Sequence, residues 1–570
     1  MRIIRQVLLL SVAGWVGCAP SSPPVTPATL LLRNGHIVTM DRDRPTAQSL
    51  AVRNDRIVAL GTDEELARYA GPDTTVIDLA GQTAVPGLIE GHGHFLGLGQ
   101  SRLVLDLMDM KSYDEVVTAV ANAATSAAPG TWIQGRGWHQ EKWTTPPVPA
   151  VEGFPVHDAL SAVTPDHPVV LEHASGHAVL ANARAMQLAG VTAATKAPAG
   201  GDILKGRSGQ PSGIFRETAS GLIEAALERW QAARTPEERR ADLQRQVTLA
   251  AQTAVEHGIT SFQDAGSSLE TVALFKQMAR DGLLGVRLWV MVRDSNERLR
   301  ARLPQERVIG MAEQRLTVAA IKVTADGALG SRGAWMLDPY SDAPDSSGLS
   351  TVPMAQLAET ATIAAETETQ LAVHAIGDRA NRETLDVFEA AFRANPARSD
   401  WRWRIEHAQH VSPDDIPRFA RLGVIASMQG IHATSDAPYV LARLGPERAE
   451  AGAYVWKKFL DAGVIVSNGT DVPVERIDPI ANFHATVTRR TRDGSVFYGD
   501  QRMTREQALR SYTSSAAYAA REDAIKGSLS VGKLADITVL SQDLLTVPDE
   551  ALLNTRVVKT IIGGKVVYGS

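Results

Sequence analysis

The sequence predicts an α/β protein: a TIM-like (β/α)8 barrel with a large insertion, joined to a small β-sandwich built from both chain ends. Three observations predict it. The C-terminal half repeats a short β-branched or apolar strand, a loop carrying one polar residue, and a stretch long enough for a helix. His92 and His94 follow the apolar run Thr83–Ile89, and short strands with tight turns occupy both ends of the chain. Parallel strands need long crossovers, which run right-handed. In a closed barrel all strand C-termini then meet at one face, where ligands far apart in sequence converge.

In chain order, Met1–Cys18 carries Arg2 and Arg5, the apolar stretch Val7–Val16, and Gly17-Cys18. The apolar run is too short to span a bilayer and has the length of a signal-peptide core. A cysteine behind a small residue, followed by Ala19-Pro-Ser-Ser-Pro-Pro-Val-Thr-Pro27, resembles a bacterial lipoprotein signal. Cleavage would leave Cys18 as a lipidated N-terminus and residues 19–28 as an extended tether. The expectation is an exported, periplasm-facing protein attached to a membrane only through Cys18. Trp15 stands where leucine is usual, and ordinary secretion is the other reading.

Leu30–Thr39, Ser49–Ala59 and Thr74–Leu79 read as short strands with Asn-Gly and Asn-Asp turns. Asp536–Leu540 and Val557–Tyr568 are their C-terminal counterparts. Residues 29–84 and 525–570 are thus assigned to the sandwich, and 85–524 to the barrel. Histidines at i and i+2 on an extended segment point to one side, so His92 and His94 make half of a metal site. Leu98–Gly310 holds far more chain than two strands need, so an insertion is expected at about 98–257, folded over the barrel mouth. Gly258–Asp264 and Val286–Val292 read as barrel strands. Further strands are Thr317–Lys322, Gln370–His374, Trp403–His407 and Val464–Asp471, with helices over Pro353–Glu368, Arg379–Ala394 and Ser412–Leu422.

Together these blocks resemble the amidohydrolase superfamily, in the branch that contains the N-substituted formamide deformylases and exoenzyme-regulatory-type proteins. The resemblance rests on Val85-Pro-Gly-Leu-Ile-Glu-Gly-His-Gly-His94, Gly135-Arg-Gly-Trp-His139, Ser175-Gly-His-Ala-Val-Leu-Ala-Asn182 and Ile321-Lys-Val-Thr-Ala-Asp326. It continues through Val373-His-Ala-Ile-Gly-Asp378, Arg404-Ile-Glu-His-Ala-Gln409, Ser427-Met-Gln-Gly-Ile-His432, Asn468-Gly-Thr-Asp-Val-Pro473 and Gly527–Leu540. Four positions depart from it. Glu90 replaces an aspartate, His139 an aspartate, Gly430 a proline, and Asn468-Gly-Thr a Gly-Ser tract. None removes an expected ligand; His139 and Gly430 bear on substrate choice.

The resemblance implies a metal-dependent hydrolase of a non-peptide carbon–nitrogen bond in an amide, formamide or N-acyl amine. It implies two divalent ions, zinc foremost with Mn²⁺, Fe²⁺ or Co²⁺ as alternatives, held by His92, His94, Lys322, His374, His407 and Asp471. Lys322 would be carboxylated on its side-chain nitrogen; a lysine paired with Asp326 is the other reading. Two such ions lower the pKa of a shared water toward about 7, and Asp471 would move the proton. His177, Arg332, His432 and Trp138 are candidate substrate contacts, a plain structural role standing beside each. His410 and Asp378 are expected to support neighbouring ligands. A lactonase or esterase uses the same attack, and a lipid-anchored binding protein is the non-enzymatic alternative.

Composition agrees with a globular enzyme of small molecules. The balance is 44% hydrophobic and 21% charged, and the net charge of −6 with no basic stripe argues against nucleic acid as partner. The single cysteine excludes an intrachain disulfide and a cysteine-rich zinc module. Whether the chain is a monomer or a homo-oligomer is left open at this level.

Overall fold

Eight parallel strands run consecutively around a nearly closed barrel. They are β1 (Leu88–Gly93), β2 (Ile259–Ser267), β3 (Arg287–Val292), β4 (Leu316–Thr324), β5 (Gln370–Ala375), β6 (Arg404–His407), β7 (Ile425–Met428) and β8 (Val466–Asn468). The seam between β8 and β1 is stitched just beyond the strands. Asp471 N donates to His92 O at 2.8 Å and His94 N donates to Val472 O at 2.7 Å. This computed structural model describes residues 25–569. The expected signal segment, Cys18 and the first part of the tether lie outside the described residues. Among the described residues no helix is long and apolar enough to cross a membrane.

The strands are buried on both faces, as parallel strands covered by helices must be. Outward residues such as Phe262, Val290, Val318, Val373 and Ile405 pack into one core with the surrounding helices. The interior differs from the usual layers of branched aliphatics. It holds alanines with Trp289 and Met291, and a buried polar set centred on Arg404.

Helices follow where the periodicity placed them, at Met354–Glu366, Asp378–Ala394 and Ile416–Leu422. The run Thr83–Ile89, expected as one barrel strand, is two. Thr83–Pro86 belongs to the small domain, antiparallel to Ile537–Leu540, and the barrel strand begins at Leu88. Gly87 is the break: a Cβ there would stand 2.2 Å from Thr260 Oγ1.

The small domain is a sandwich of two sheets. One has Arg56–Gly61, Ser49–Arg53, Leu30–Arg33 and Thr75–Asp78 in that order. The other combines His36–Val38, Thr46–Ala47 and Thr83–Pro86 with Ile537–Leu540, Val557–Ile562 and Lys565–Tyr568. Leu32, Ile37, Leu50, Val52, Ile537 and Ile561 fill the space between. Arg287 of β3 is its bolt to the barrel, donating through Nε and Nη2 to the Asp536 carboxylate at 2.7 and 2.9 Å with both residues buried.

Between β1 and β2 the chain builds a six-stranded mixed sheet with its own apolar cores. It returns through the helix Pro236–Glu256, which starts with Pro236 behind a Thr235–Glu238 capping box. The sheet is held over the strand C-termini by specific contacts. Arg136 donates to Pro473 O, Lys142 pairs with Glu475 at 3.0 Å, and Glu141 pairs with Arg443 at 2.9 Å.

Replacing one partner of a buried ion pair strands the other charge, at a cost of about 3–5 kcal/mol. Arg287→Ala is therefore expected to lower the unfolding free energy by that order in urea titrations. A loss below about 1 kcal/mol would show that water or a rearrangement satisfies Asp536.

Candidate metal centre

All six expected ligands arrive at the C-terminal mouth of the barrel. His92 lies near the end of β1 and His94 two residues on, with ring centroids 5.8 Å apart. Lys322 comes from β4, His374 from β5, His407 from the last position of β6, and Asp471 from the loop after β8. Asp471 is the hub. Its Oδ1 lies 3.2 Å from His94 Nε2 and 3.5 Å from His92 Nε2, and its Oδ2 lies 3.9 Å from His407 Nδ1. His92, His407 and Asp471 each offer a ligand atom within 4.8 Å of the others. Lys322 Nζ sits 3.5 Å from His92 Nε2, and the His374 ring centroid lies 4.5 Å from that of His407. His407 (φ 76°) and Asp471 (φ 58°) both adopt left-handed backbone. Such strain persists in non-glycine residues where the surroundings over-determine it, as functional sites do.

A layer of partners aims these groups. His92 Nδ1 donates to Glu406, which leaves Nε2 as a free lone pair towards Asp471 and Lys322. Glu406 is held in turn by Arg404, whose Nε and Nη2 donate at 2.7 and 2.9 Å. His407 Nδ1 donates to Gln429 Oε1 at 2.8 Å. Asp264 accepts from Phe95 N at 2.9 Å and Ser267 Oγ at 2.6 Å, fixing the turn behind His94. Asp326 does not pair with Lys322. It accepts from the backbone nitrogens of Trp335, Ile376 and Gly377 and so fixes the turn after His374.

Glu90 and the Asn468-Gly-Thr tract, both singled out in the sequence, meet in the fold. Glu90 reaches across the seam to accept from Thr470 N and, at 3.1 Å, from Thr470 Oγ1. Gly469 lies so close that a Cβ would stand 2.5 Å from both Glu90 Oε1 and His92 N. The Glu90 side chain and the tract before Asp471 are thus fitted to each other.

Burial dominates the electrostatics. It drives the pKa of His92 down to about 4, assisted by Lys322, and those of His374 and His407 well below the usual value. These imidazoles are neutral, as ligands must be. Burial also lowers Lys322 to about 8, so its free amine is accessible near neutrality. Burial pushes Asp471 up, but the hydrogen bond from His94 and the surrounding imidazoles hold it well below the usual range, as a carboxylate. Arg404 and His92 likewise outweigh burial at Glu406. Asp471 Oδ1 meets only the Nε2 atoms of His94 and His92, and His374 Nε2 stands 3.4 Å from Asp326 Oδ1 without hydrogen-bond geometry. Neutral imidazole nitrogens and an ionised carboxylate with unspent lone pairs fit a divalent cation such as Zn²⁺.

A cavity of about 50 Å³ opens on this cluster, lined by His374, His407 and Asp471 on the barrel side. The insertion contributes His177 and His139, and the helix Gly430–Leu444 contributes His432 and Tyr439. His177 Nδ1 pairs with Glu217 at 2.6 Å; burial depresses its pKa, but Glu217 raises it to a net value above normal. His432 Nδ1 accepts from Gln409 Nε2 at 2.9 Å, so its proton is on Nε2, which has no partner.

Two expected substrate contacts do not reach the cavity. Trp138 points into the core of the insertion, its indole donating to Leu171 O at 2.9 Å. The next residue, His139, is the one that faces the cavity. Arg332 pairs with Asp342 at 3.1 Å, and its loop offers Ala328–Gly330 instead. His410 packs on Tyr454 with both ring nitrogens unpaired, and Asp378 accepts from Leu337 N; neither contacts a candidate ligand. Glu406 and Glu217 were missed by sequence reasoning. The signal for Glu406 was there: Arg404 and Glu406 alternate on one face of a strand that must be buried.

The Amidohydrolase family model matches residues 75–568. The chain belongs to the amidohydrolase family. It is 32% identical to Protein LONG AFTER FAR-RED 3 of Arabidopsis thaliana, over 99% of this chain and 96% of that protein. It is 27% identical to the N-substituted formamide deformylase of Arthrobacter pascens, over 95% of this chain and 98% of the relative. The crystal structure of an uncharacterized metal-dependent hydrolase from Pyrococcus horikoshii OT3 superimposes with a TM-score of 0.72 at 25% identity, covering 91% of this chain and 99% of that one. Amidohydrolase membership makes the protein a metal-dependent hydrolase, and the small cavity suits a small-molecule substrate.

In this amidohydrolase, loss of the Glu406 carboxylate frees His92 to adopt the wrong tautomer. Glu406→Gln is expected to weaken metal binding about 10–100-fold, the usual cost of removing a partner behind a ligating histidine. Competition with a chelator reads this directly, with circular dichroism confirming that the variant is folded. Unchanged affinity would remove Glu406 from the site.

Proposed function

We propose that the protein hydrolyses a carbon–nitrogen bond other than a peptide bond, in an amide, formamide or N-acyl amine. The observation that carries the reading is the buried Asp471 carboxylate, its Oδ1 between the Nε2 atoms of His94 and His92 at 3.2 and 3.5 Å, beside a cavity with a free His432 Nε2–H. His92, His94, His374, His407 and Asp471 would hold two divalent ions, zinc foremost, with Lys322 as the sixth ligand. Lys322 ligates only as an anion. Its free amine adds to CO₂, forming an N–C bond and releasing one proton, and the product is a carbamate. When bound, the metal ions supply a water of lowered pKa and polarise the substrate carbonyl.

The protein's own groups do the rest. Asp471, ionised at neutral pH, accepts the proton of the attacking water and returns it to the departing nitrogen. His432 donates from Nε2 to the carbonyl oxygen as negative charge develops there. Nitrogen leaves only when protonated, which favours a site with more than one proton carrier. The His177–Glu217 pair is the second, with the His177 ring 5.1 Å from that of His374. Nearly full-length similarity to an N-substituted formamide deformylase supports the same bond type.

Protein prepared with bicarbonate is expected to carry about two metal equivalents by mass spectrometry, falling when Lys322 is replaced by alanine. One equivalent, unchanged in Lys322→Ala, would demote Lys322 to an ordinary buried lysine. Asp471→Asn is expected to lower kcat by a factor of about 10²–10⁴ while retaining most of the metal. Normal turnover by this variant would remove the assigned base. Parallel panels of amides and lactones test the bond: activity confined to lactones would overturn the carbon–nitrogen reading.

A further inference from the structure

A cavity of about 560 Å³ lies at the end of the barrel opposite the metal centre. That volume is in the range of ligand-binding sites, roughly 300–1,000 Å³. Its walls are segments that lead into strands: Arg307 ahead of β4, Glu368 ahead of β5, and residues 395–401 ahead of β6. Arg521, from the turn after the helix Ser514–Ala519, completes it. Arg307 and Arg398 are half-buried and Arg521 is exposed, so the hollow is open to a ligand.

Three guanidiniums share this hollow with much of their bonding capacity unspent. Arg307 and Arg398 form no ion pair among the described residues, and Arg307 Nε is buried with no hydrogen-bond partner. Arg398 lies over the Trp401 ring, 4.3 Å from its centroid, and Phe392 stacks on the same indole at 4.6 Å. A cation held on an aromatic face keeps its N–H donors for another acceptor. Arg521 uses Nη2 on the carbonyls of Asp400 and Trp401, and its Nη1 stands 4.0 Å from the Asp400 carboxylate.

Charge in the cavity does not balance. Asp400 belongs to Arg402, whose Nε donates to both carboxylate oxygens at 3.0 and 3.1 Å. Glu368 is then the one lining carboxylate left to face three cations, an excess of two positive charges. Burial, and after it repulsion from Arg521, lower the pKa of Arg398. Arginine nevertheless stays protonated in proteins, so the repulsion stands until an anion relieves it.

We infer that this cavity binds a phosphate monoester between Arg307, Arg398 and Arg521. Such a group carries about −1.5 to −2 charges at neutral pH, which matches the excess. Its three free oxygens offer acceptors to three forked donors, where a carboxylate has only two oxygens to share. A soluble small molecule and a lipid headgroup can both present it. The site has no wall in common with the catalytic cavity, and it stands independently of the bond the enzyme cleaves. Its link to the metal centre is β6: Trp401 lies three residues before Arg404, at the start of the strand that carries Glu406 and His407.

The test uses full-length, metal-loaded protein, with inorganic phosphate and glycerol phosphate as soluble probes in calorimetry. Arg307→Gln and Arg398→Gln each remove one fork and should each weaken binding about tenfold. The rise in Tm that phosphate gives the parent protein should shrink in both. Without phosphate both variants should melt no lower than the parent, because each relieves repulsion; a purely structural arginine would lower Tm there. Flotation with phosphatidylcholine vesicles, with and without phosphatidic acid, separates the two sources. Soluble binding that both variants weaken supports the site and assigns a small molecule. Binding confined to phosphatidic acid vesicles, and lost in both variants, supports it and assigns a headgroup. Phosphate bound equally by the parent and both variants belongs to the metal centre and overturns the inference, as does no binding of any probe.

Discussion

The buried guanidinium of Arg404 is the constraint on which the rest of the molecule depends. It is fully enclosed by the barrel, and a charge there is tolerable only if every donor finds an acceptor. Arg404 meets that demand by contacting four strands: Gly91 O on β1, Gln263 on β2, Glu406 on its own strand, and Ser427 on β7. A one-residue slip of any of these strands would turn its partner to the outer face and leave a bare charge. The barrel register is therefore specified by polar chemistry where other barrels rely on branched aliphatics. The same bonds keep Glu406 ionised, Glu406 fixes His92, and His92 stands beside Asp471 and Lys322.

The site is accordingly shared between a rigid part and an added part. Barrel strands and the turns at their C-terminal ends carry the six candidate ligands, with positions fixed by the sheet and by carboxylates that tie down neighbouring turns. The insertion carries His139, His177 and Lys142, and it reaches the barrel loops through a few ion pairs and backbone contacts. Glu217, which holds His177, has φ 51° and ψ −130°, a conformation costly for any side chain. A Cβ on Gly327 or on Gly333 would meet its carboxylate at 2.2 Å, so the barrel loop after β4 is shaped around it. Strain on one side and glycines on the other locate the joint where the two parts were fitted together.

Such a division separates reaction from recognition. The six ligand positions and their partners are drawn from strand ends, where a shift of 1 Å is costly to chemistry. The other walls of the cavity come from the insertion and the helix after β7, neither of which supplies a hydrogen bond to Arg404. Metal-dependent hydrolysis thus follows from membership in the amidohydrolase family.

The sequence by itself determined the barrel, the two-ended small domain and the identity of the ligand-bearing strands. These follow from short-range rules: period-two alternation, strand-to-helix spacing, and histidines two apart on one strand. Only the tertiary structure decided where Thr83–Ile89 divides, because the break at Gly87 is caused by Thr260, far away in sequence. It alone showed that His139 and not Trp138 faces the cavity, since the pairing register of the inserted strand shifts between Arg136 and Trp138. It also disclosed Glu406 behind His92, Glu217 behind His177 and Glu90 against Thr470, separations of 314, 40 and 380 residues. Alternation marks Glu406 as a buried strand residue, but the pairing of a carboxylate with a distant partner leaves no periodic trace along the chain; it exists only once the strands are assembled.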